Sequence, residues 1–178
     1  MGISQVGVVM SSVEVKSIGV EDWRMWRHLR LSALAEFPAS FDSTLEQWSG
    51  QNDTEERWRD RLEAVPLNVV AYLNDQPAGM VSAMDKVERI VVLISLWVAP
   101  WARGTGTGDR LVEAVKEWAR NQSASKVVLE VRRANARAIA LYERHRFRVL
   151  DPASGLDHFD LSCEGELAMV YELSNKGF

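Results

Sequence analysis

The feature that most constrains this chain is an apolar run followed at once by a glycine-rich loop and an amphipathic helix. Residues 90–98 read Ile-Val-Val-Leu-Ile-Ser-Leu-Trp-Val, which is typical of a strand covered on both faces and therefore central in a sheet. Three glycines follow within residues 103–108. The apolar residues over 107–121 then recur on one face of a predicted helix. A strand, a tight loop and a helix in this order indicate an α/β domain.

The rest of the chain predicts further strands and helices in alternation. Strands are predicted at 13–18, 68–73, 78–84, 126–131, 147–150 and 167–173, and helices at 21–36, 53–64 and 136–145. Asp53 and Glu56 have the spacing of a capping box at the start of the second of these helices. The elements favour a single domain over 13–175, with a mixed sheet and helices on both faces, after a disordered tail at 1–12.

Composition and charge exclude several classes of protein. The net charge of −4 gives no support to bulk binding of nucleic acid, and the arginines between 132 and 148 are interpreted as a solvated helix edge. Cys163 is the only cysteine, so an internal disulfide cannot form, which favours a reducing cytoplasm. No apolar run is long enough to span a membrane. The spacing of Asp157, His158, Asp160 and Cys163 matches no zinc pattern, so no metal is expected.

The glycine loop, Arg103-Gly104-Thr105-Gly106-Thr107-Gly108, has the properties of a phosphate site. Glycine lets the backbone approach a ligand closely, and the amides at a helix N-terminus attract anions. A dinucleotide fingerprint is excluded, because Asp109 or Leu111 stands where its third glycine would be. A P-loop is excluded as well, because Asp109 stands where its lysine would be.

Two segments together resemble the GNAT superfamily of acetyltransferases. The family pattern R-x-x-G-x-G falls on Arg103, Gly106 and Gly108, directly after Val98-Ala99-Pro100. The second segment has the family's order of side chains at Asn135, Ala138, Leu141, Tyr142 and Phe147. The resemblance implies a GNAT fold, with a mixed, mostly antiparallel sheet of about six or seven strands flanked by about four helices. It also implies that the sheet is splayed between the strands at 90–98 and 126–131, with acetyl-CoA in the gap.

The resemblance also implies which residues hold the cofactor. They lie on the central strand, in the loop and on the late helix: Leu96, Trp97, Val98, Arg103, Gly104, Thr105, Gly106, Thr107, Gly108, Asn135, Ala138 and Tyr142. Asn135 would hold the pantetheine arm, and the Tyr142 hydroxyl would point at the thioester sulfur. One departure is Arg146, which stands where the family has the glycine before Phe147. A left-handed helix end at an arginine would cost free energy.

Acetyl transfer to an amine needs a base, donors for an oxyanion and a proton for the departing thiolate. Tyr142 is the predicted acid, and backbone N–H groups near Trp97 and Val98 are the predicted oxyanion donors. Glu130 is the leading candidate for the base, because it interrupts an otherwise buried strand. It fits a solvated or salt-bridged glutamate at a strand end equally well. Glu88 and His145 are the further candidates.

The predicted function is therefore acetyl transfer from acetyl-CoA to a primary amine by direct attack in a ternary complex. A catalytically inactive acyl-CoA-binding or sensor protein on the same fold is the alternative. The run Leu129-Glu130-Val131-Arg132 resembles ribosomal-protein N-terminal acetyltransferases, which favours a peptide N-terminus over a small polyamine-like or amino-sugar compound. Neither nucleic acid nor a membrane is expected as a partner, and a second copy of the chain is a candidate.

Loop carboxylates predict how an acceptor would be attracted. A carboxylate rim around the acceptor site would raise the local concentration of a cationic amine, although ordinary solvated loop charges explain the same pattern equally well. The carboxylates in question are Glu36, Asp42, Glu46, Asp151, Asp157, Asp160, Glu164 and Glu166.

Overall fold

The computed structural model describes residues 12–37, 43–86, 89–151 and 165–173, and over these residues the chain forms a seven-stranded sheet with helices on both faces. The strands are β1 (Val13–Ser17), β2 (Leu67–Leu73), β3 (Gln76–Lys86), β4 (Ile90–Val98), β5 (Lys126–Arg132), β6 (Arg148–Val149) and β7 (Glu166–Glu172). The helices are α1 (Trp23–Glu36), α2 (Leu45–Trp48), α3 (Glu55–Glu63), α4 (Thr107–Asn121) and α5 (Ala136–Arg144). The predicted tail lies outside the described residues except for Ser12.

The sheet opens between β4 and β5. Its strand order is β1-β2-β3-β4-β5-β7-β6, and β4 and β5 form the parallel pair in an otherwise antiparallel set of described strands. Their pairing is confined to Ile90–Val92 against Lys126–Val128. Beyond these residues the two strands separate and leave a gap. The mostly antiparallel, splayed sheet implied by the resemblance is therefore confirmed.

A bulge in β4 lies where the gap begins. Met80 pairs with Trp97 and Ser82 pairs with Ile94, so two residues of β4 oppose one residue of β3 between these pairs. One of the two is Ser95, whose φ of +58° lies in the left-handed region that residues other than glycine rarely adopt. A bulge bends its strand and increases its twist. The bulge accounts physically for the departure of β4 from β5.

Two apolar cores fix the helices on opposite faces of the sheet. One core contains α4 and α5, including Leu111, Val115 and Tyr142, against Val91, Leu93, Val127 and Leu129. The other contains α1 and α3, including Trp26, Leu29, Trp58 and Leu62, against Val70, Met80 and Trp97.

Because side chains alternate across a strand, Glu130 belongs to the face that carries α1 and α3.

The start of α3 differs from the prediction. Its N-cap is Thr54, whose side chain accepts a hydrogen bond from the Arg57 amide at 3.3 Å. The Asp53 carboxylate instead accepts hydrogen bonds from Arg27 Nε at 2.6 Å and from Trp58 Nε1 at 2.8 Å. The hydrogen bond from Arg27 is the main reason that the pKa of Asp53 falls to about 2. The predicted capping box is wrong, and Asp53 ties α1 to α3.

Candidate active site

The glycine loop begins where β4 ends, beside the gap. Gly104 and Gly106 have φ of +79° and +87°, which glycine adopts without the steric cost that a Cβ would bring. A Cβ at either position would meet nothing within 4 Å. The outer side of the loop is therefore open to a ligand.

The backbone amides of residues 104–109 have no hydrogen-bond acceptor in the described parts of the chain. The hydrogen bond from the Arg110 amide to the Gly106 carbonyl, at 3.1 Å, closes the first turn of α4. The amides of residues 106–109 are the four that a helix leaves unpaired at its N-terminus, and those of 104 and 105 belong to the loop before it. Together with the helix dipole they suit an anion with several oxygens, such as a pyrophosphate.

Threonine hydroxyls brace this loop from within. Thr105 Oγ1 donates to the Ala102 carbonyl at 2.7 Å and lies 2.8 Å from Thr107 Oγ1. Thr107 is only 1% exposed. The two hydroxyls therefore hold the loop in shape, while the exposed Thr105 leaves its backbone amide available to a ligand.

Gly108 allows α5 to approach α4 closely. A Cβ on Gly108 would lie 3.0 Å from Leu141 Cδ2, which is closer than packed side chains normally come. The glycine therefore brings α5, with Asn135 at its start and Tyr142 within it, next to the loop. The space that a Cβ of Gly108 would need is filled by Leu141, whereas the corresponding space at Gly106 is empty.

Arg103 turns from the loop towards α1. Its Nη2 lies 2.7 Å from both carboxylate oxygens of Glu36, and its Nε donates to the Val98 carbonyl at 3.1 Å. The same carboxylate accepts a hydrogen bond from Trp97 Nε1 at 2.9 Å. Glu36 thus joins the end of α1 to β4 and to the loop. The sequence carries no signal for this pair, whose members are 67 positions apart.

Asn135 lies at the start of α5 and Tyr142 lies in its last turns. Asn135 is the N-cap of α5, and its Oδ1 accepts a hydrogen bond from the Ala138 amide at 3.1 Å. Tyr142 is 5% exposed and packs on Phe147, with ring centroids 5.7 Å apart. Burial raises the pKa of the Tyr142 phenol above its ordinary value, so the hydroxyl keeps its proton at neutral pH. No described residue provides that hydroxyl with a hydrogen-bond partner.

The end of α5 adopts the left-handed conformation that the family glycine would serve. Arg146 has a φ of +65°. The Phe147 amide donates to the Tyr142 carbonyl at 3.0 Å, and the Arg146 amide donates to the Glu143 carbonyl at 2.8 Å. These two hydrogen bonds form a Schellman motif. Arg146, which replaces the family's glycine, is therefore a strained residue at an otherwise regular helix end.

The candidates for the base are placed very differently. Glu130 is exposed between buried neighbours on β5, beyond Val128, so it borders the gap on the face of α1 and α3. The ring nitrogens of His145 both lie 2.9 Å from carboxylate oxygens of α4, which occupies them in the contact between α4 and α5. Glu88 lies outside the described residues.

Part of the predicted carboxylate rim is already engaged. Glu36 pairs with Arg103 at 2.7 Å, and Glu166 pairs with Arg132 at 3.1 Å. Of the other predicted rim carboxylates, Glu46 and Asp151 are described. The residues outside the described ranges are Asp42, Asp157, Asp160 and Glu164, together with His158 and Cys163. Among the residues that the structure describes, no three His, Cys, Asp or Glu side chains are grouped to hold a metal, and no helix could cross a membrane.

Known proteins resemble this chain in sequence. The profile of the acetyltransferase (GNAT) family matches residues 23–147. Two uncharacterised N-acetyltransferases of Bacillus subtilis (strain 168) are similar. YhfO is 33% identical over 76 residues, covering 43% of this chain and 49% of YhfO, so the match spans about half of that relative. YjcF is 31% identical over 112 residues, covering 60% of this chain and 74% of YjcF.

Solved structures share the fold. The PaiA N-acetyltransferase of Thermoplasma acidophilum, in complex with coenzyme A, has a TM-score of 0.69 at 15% identity, covering 91% of this chain and 99% of that one. The ribosomal-protein-S18-alanine N-acetyltransferase of Escherichia coli has a TM-score of 0.65 at 20% identity, covering 93% and 97%. Because the family profile matches residues 23–147, which include β4, β5 and the glycine loop, this chain belongs to the GNAT family of acetyltransferases.

Proposed function

We propose that this protein transfers the acetyl group of acetyl-CoA to a primary amine by direct attack in a ternary complex. The observation that carries the proposal is the row of unpaired amides at 104–109 beside the gap between β4 and β5. The amides suit the pyrophosphate, and the open edge of β4 beyond Val92 suits an extended chain with amide groups. The coenzyme A complex of PaiA, on the same fold, supports this assignment.

Each chemical task then has a candidate in this chain. Bound acetyl-CoA supplies the activated acetyl group. Backbone N–H groups near Trp97 and Val98 stabilise the oxyanion, and the protonated phenol of Tyr142 donates to the departing sulfur. Glu130, which borders the gap, accepts the proton of the amine directly or through water. Asn135 and Ala138 line the same side of the cofactor site as Tyr142.

For the acceptor, we propose the amine of a peptide N-terminus ahead of an unrelated small amine. The run Leu129-Glu130-Val131-Arg132 supports this order, as does the shared fold of the ribosomal-protein-S18-alanine N-acetyltransferase.

Two measurements test the proposal together. Calorimetry with acetyl-CoA, ATP and NAD is expected to show preferential binding of acetyl-CoA. A thiol-release assay with acetyl-CoA across amines, aminoglycosides and short peptides is expected to show turnover on at least one acceptor. Preference for ATP or NAD would contradict the cofactor, and tight binding of acetyl-CoA without any turnover would favour the inactive sensor.

A further inference from the structure

Arg61 of α3 is a half-buried cation whose hydrogen bonds all go to neutral groups. Its Nη1 lies 3.2 Å from Asn68 Oδ1, its Nη2 lies 3.2 Å from Ser82 Oγ, and its guanidinium stands 5.3 Å from the centre of the Trp26 ring. No carboxylate in the described parts of the chain pairs with it. Burial lowers the pKa of Arg61 to about 10, because nothing nearby compensates the desolvation of the charge.

The neutral groups around Arg61 are satisfied by one another. Asn68 Nδ2 donates to the Leu62 and Val65 carbonyls at 3.1 and 2.8 Å, which fixes the orientation of the amide. Ser82 Oγ donates to Asn68 Oδ1 at 2.7 Å. Asn68 and Ser82 are 4% and 0% exposed. Asn68 and Ser82 therefore hold Arg61 in place without neutralising it, and a buried charge without a counter-ion is costly.

The position of Ser82 relates Arg61 to the gap. Ser82 pairs with Ile94 of β4, and both side chains face α1 and α3. Ile94 lies beyond the last pair of β4 and β5, and its side chain is only half-buried. Arg61 is hydrogen-bonded to β2 and β3, and the gap lies beyond β4. Since neighbouring strands are ~4.8 Å apart, the guanidinium stands about two strand spacings from the gap. Glu130 borders the gap on the same face.

We propose that Arg61 binds a carboxylate of the acceptor, so that the acetylated molecule is an amino-carboxylate. This inference rests on the proposed acetyl transfer and narrows its acceptor. Two hydrogen bonds use two of the five N–H groups of a guanidinium, so three remain for a carboxylate, which arginine binds bidentately. The amine end then faces the gap and Glu130, with the carboxylate about two strand spacings away, ~10 Å. An opposite charge at each end favours a molecule that carries both.

Binding of matched acceptors in the presence of coenzyme A tests the inference. The probes are ω-amino acids from glycine to 8-aminooctanoate, each with its neutral carboxamide, measured by calorimetry. Short peptides with aspartate or asparagine at the second position distinguish a peptide side chain from a free amino acid as the source of the carboxylate. The wild type is expected to bind at least one carboxylate about tenfold more tightly than its amide counterpart.

Variants of α3 show whether the preference depends on Arg61. Arg61→Met is expected to abolish the preference for the carboxylate, and Arg61→Lys to retain part of it. Arg59→Met is the matched control, because Arg59 lies on the same helix but pairs with Glu21 and Glu55. It is expected to keep the full preference.

Three results would overturn the inference. The first is equal binding of carboxylates and carboxamides by the wild type, and the second is no binding of any probe. The third is that Arg61→Met loses affinity for carboxylates and carboxamides to the same extent. The last would mean that Arg61 only braces Asn68 and Ser82. Failure of the proposed function is a separate result, because it would appear as absent thiol release while the binding preference and its dependence on Arg61 persist.

Discussion

Glu36 at the end of α1 and Arg103 at the start of the glycine loop form an ion pair, with Arg103 Nη2 2.7 Å from both carboxylate oxygens. Trp97 of β4 donates to the same carboxylate at 2.9 Å. One carboxylate therefore connects the end of α1 with β4 and the glycine loop, the strand and the loop of the proposed cofactor site. The pair gives Arg103 a structural task in addition to any contact with coenzyme A.

The ion pair predicts coupling between Glu36→Gln and Arg103→Met. Each variant is expected to lower the free energy of unfolding, and the double variant to lose less than the sum. Charge-assisted hydrogen bonds between groups that are 25% and 21% exposed suggest a coupling of about 1 kcal/mol. Urea unfolding of the wild type and the three variants measures it. Strictly additive losses would show that the pair contributes nothing beyond its separate members.

Tyr142→Phe is expected to retain binding of acetyl-CoA and to lower turnover. The buried phenol stays protonated over the usual assay range, and loss of a general acid typically costs about 10² to 10⁴ in rate. Calorimetry and the thiol-release assay, performed on the same preparation, separate the two effects. Unchanged turnover would mean that the sulfur leaves without help from Tyr142, which would then serve only in packing.

Arg146→Gly is expected to stabilise the protein. Arg146 has a φ of +65°, and a left-handed residue with a Cβ costs about 1 kcal/mol relative to glycine. For a chain of 178 residues, this corresponds to a rise in Tm of roughly 2–4 °C. Arg146→Ala is the control, since it removes the side chain but keeps the Cβ. An equal gain in both variants would attribute the effect to the arginine side chain.

Asp53→Asn is expected to destabilise the protein in a pH-dependent way. The pKa of Asp53 is lowered from 3.8 to about 2 in the folded protein, so its charge stabilises the fold above about pH 4 and ceases to do so as the pH falls towards 2. The difference in unfolding free energy between wild type and variant should be full at pH 7 and smaller at pH 2.5. A difference that is constant over this range would exclude the Arg27–Asp53 contact as its cause.

The cofactor half of the fold was predictable because its apolar patterns are strong. The strand and helix predicted at 90–98 and 107–121 are observed at Ile90–Val98 and Thr107–Asn121. Their pattern depends on local periodicity and on glycines required by the turn between them. The end of α5 at Arg146 was predictable for the same reason, because it depends on hydrogen bonds between residues that are close in the sequence.

Features that depend on distant partners were not predictable. Asp53 and Thr54 are both good caps, and Arg27 and Trp58 decide between them by engaging Asp53. The bulge at Ser95 has no glycine or asparagine to signal it. The environment of Arg61 likewise depends on strands that follow it in the chain. Local patterns cannot identify such competition between partners.

Binding of acetyl-CoA to Gly106→Glu tests the central claim most directly. The new carboxylate would occupy the open space outside the loop and repel a phosphate. Gly50→Glu is the matched control, because Gly50 also has a positive φ, of +61°, and also has no atom within 4 Å of a Cβ. Calorimetry is expected to show at least a tenfold loss of affinity, about 1.4 kcal/mol, in Gly106→Glu and none in Gly50→Glu. Unchanged affinity in a folded Gly106→Glu protein would show that the phosphates of acetyl-CoA bind elsewhere.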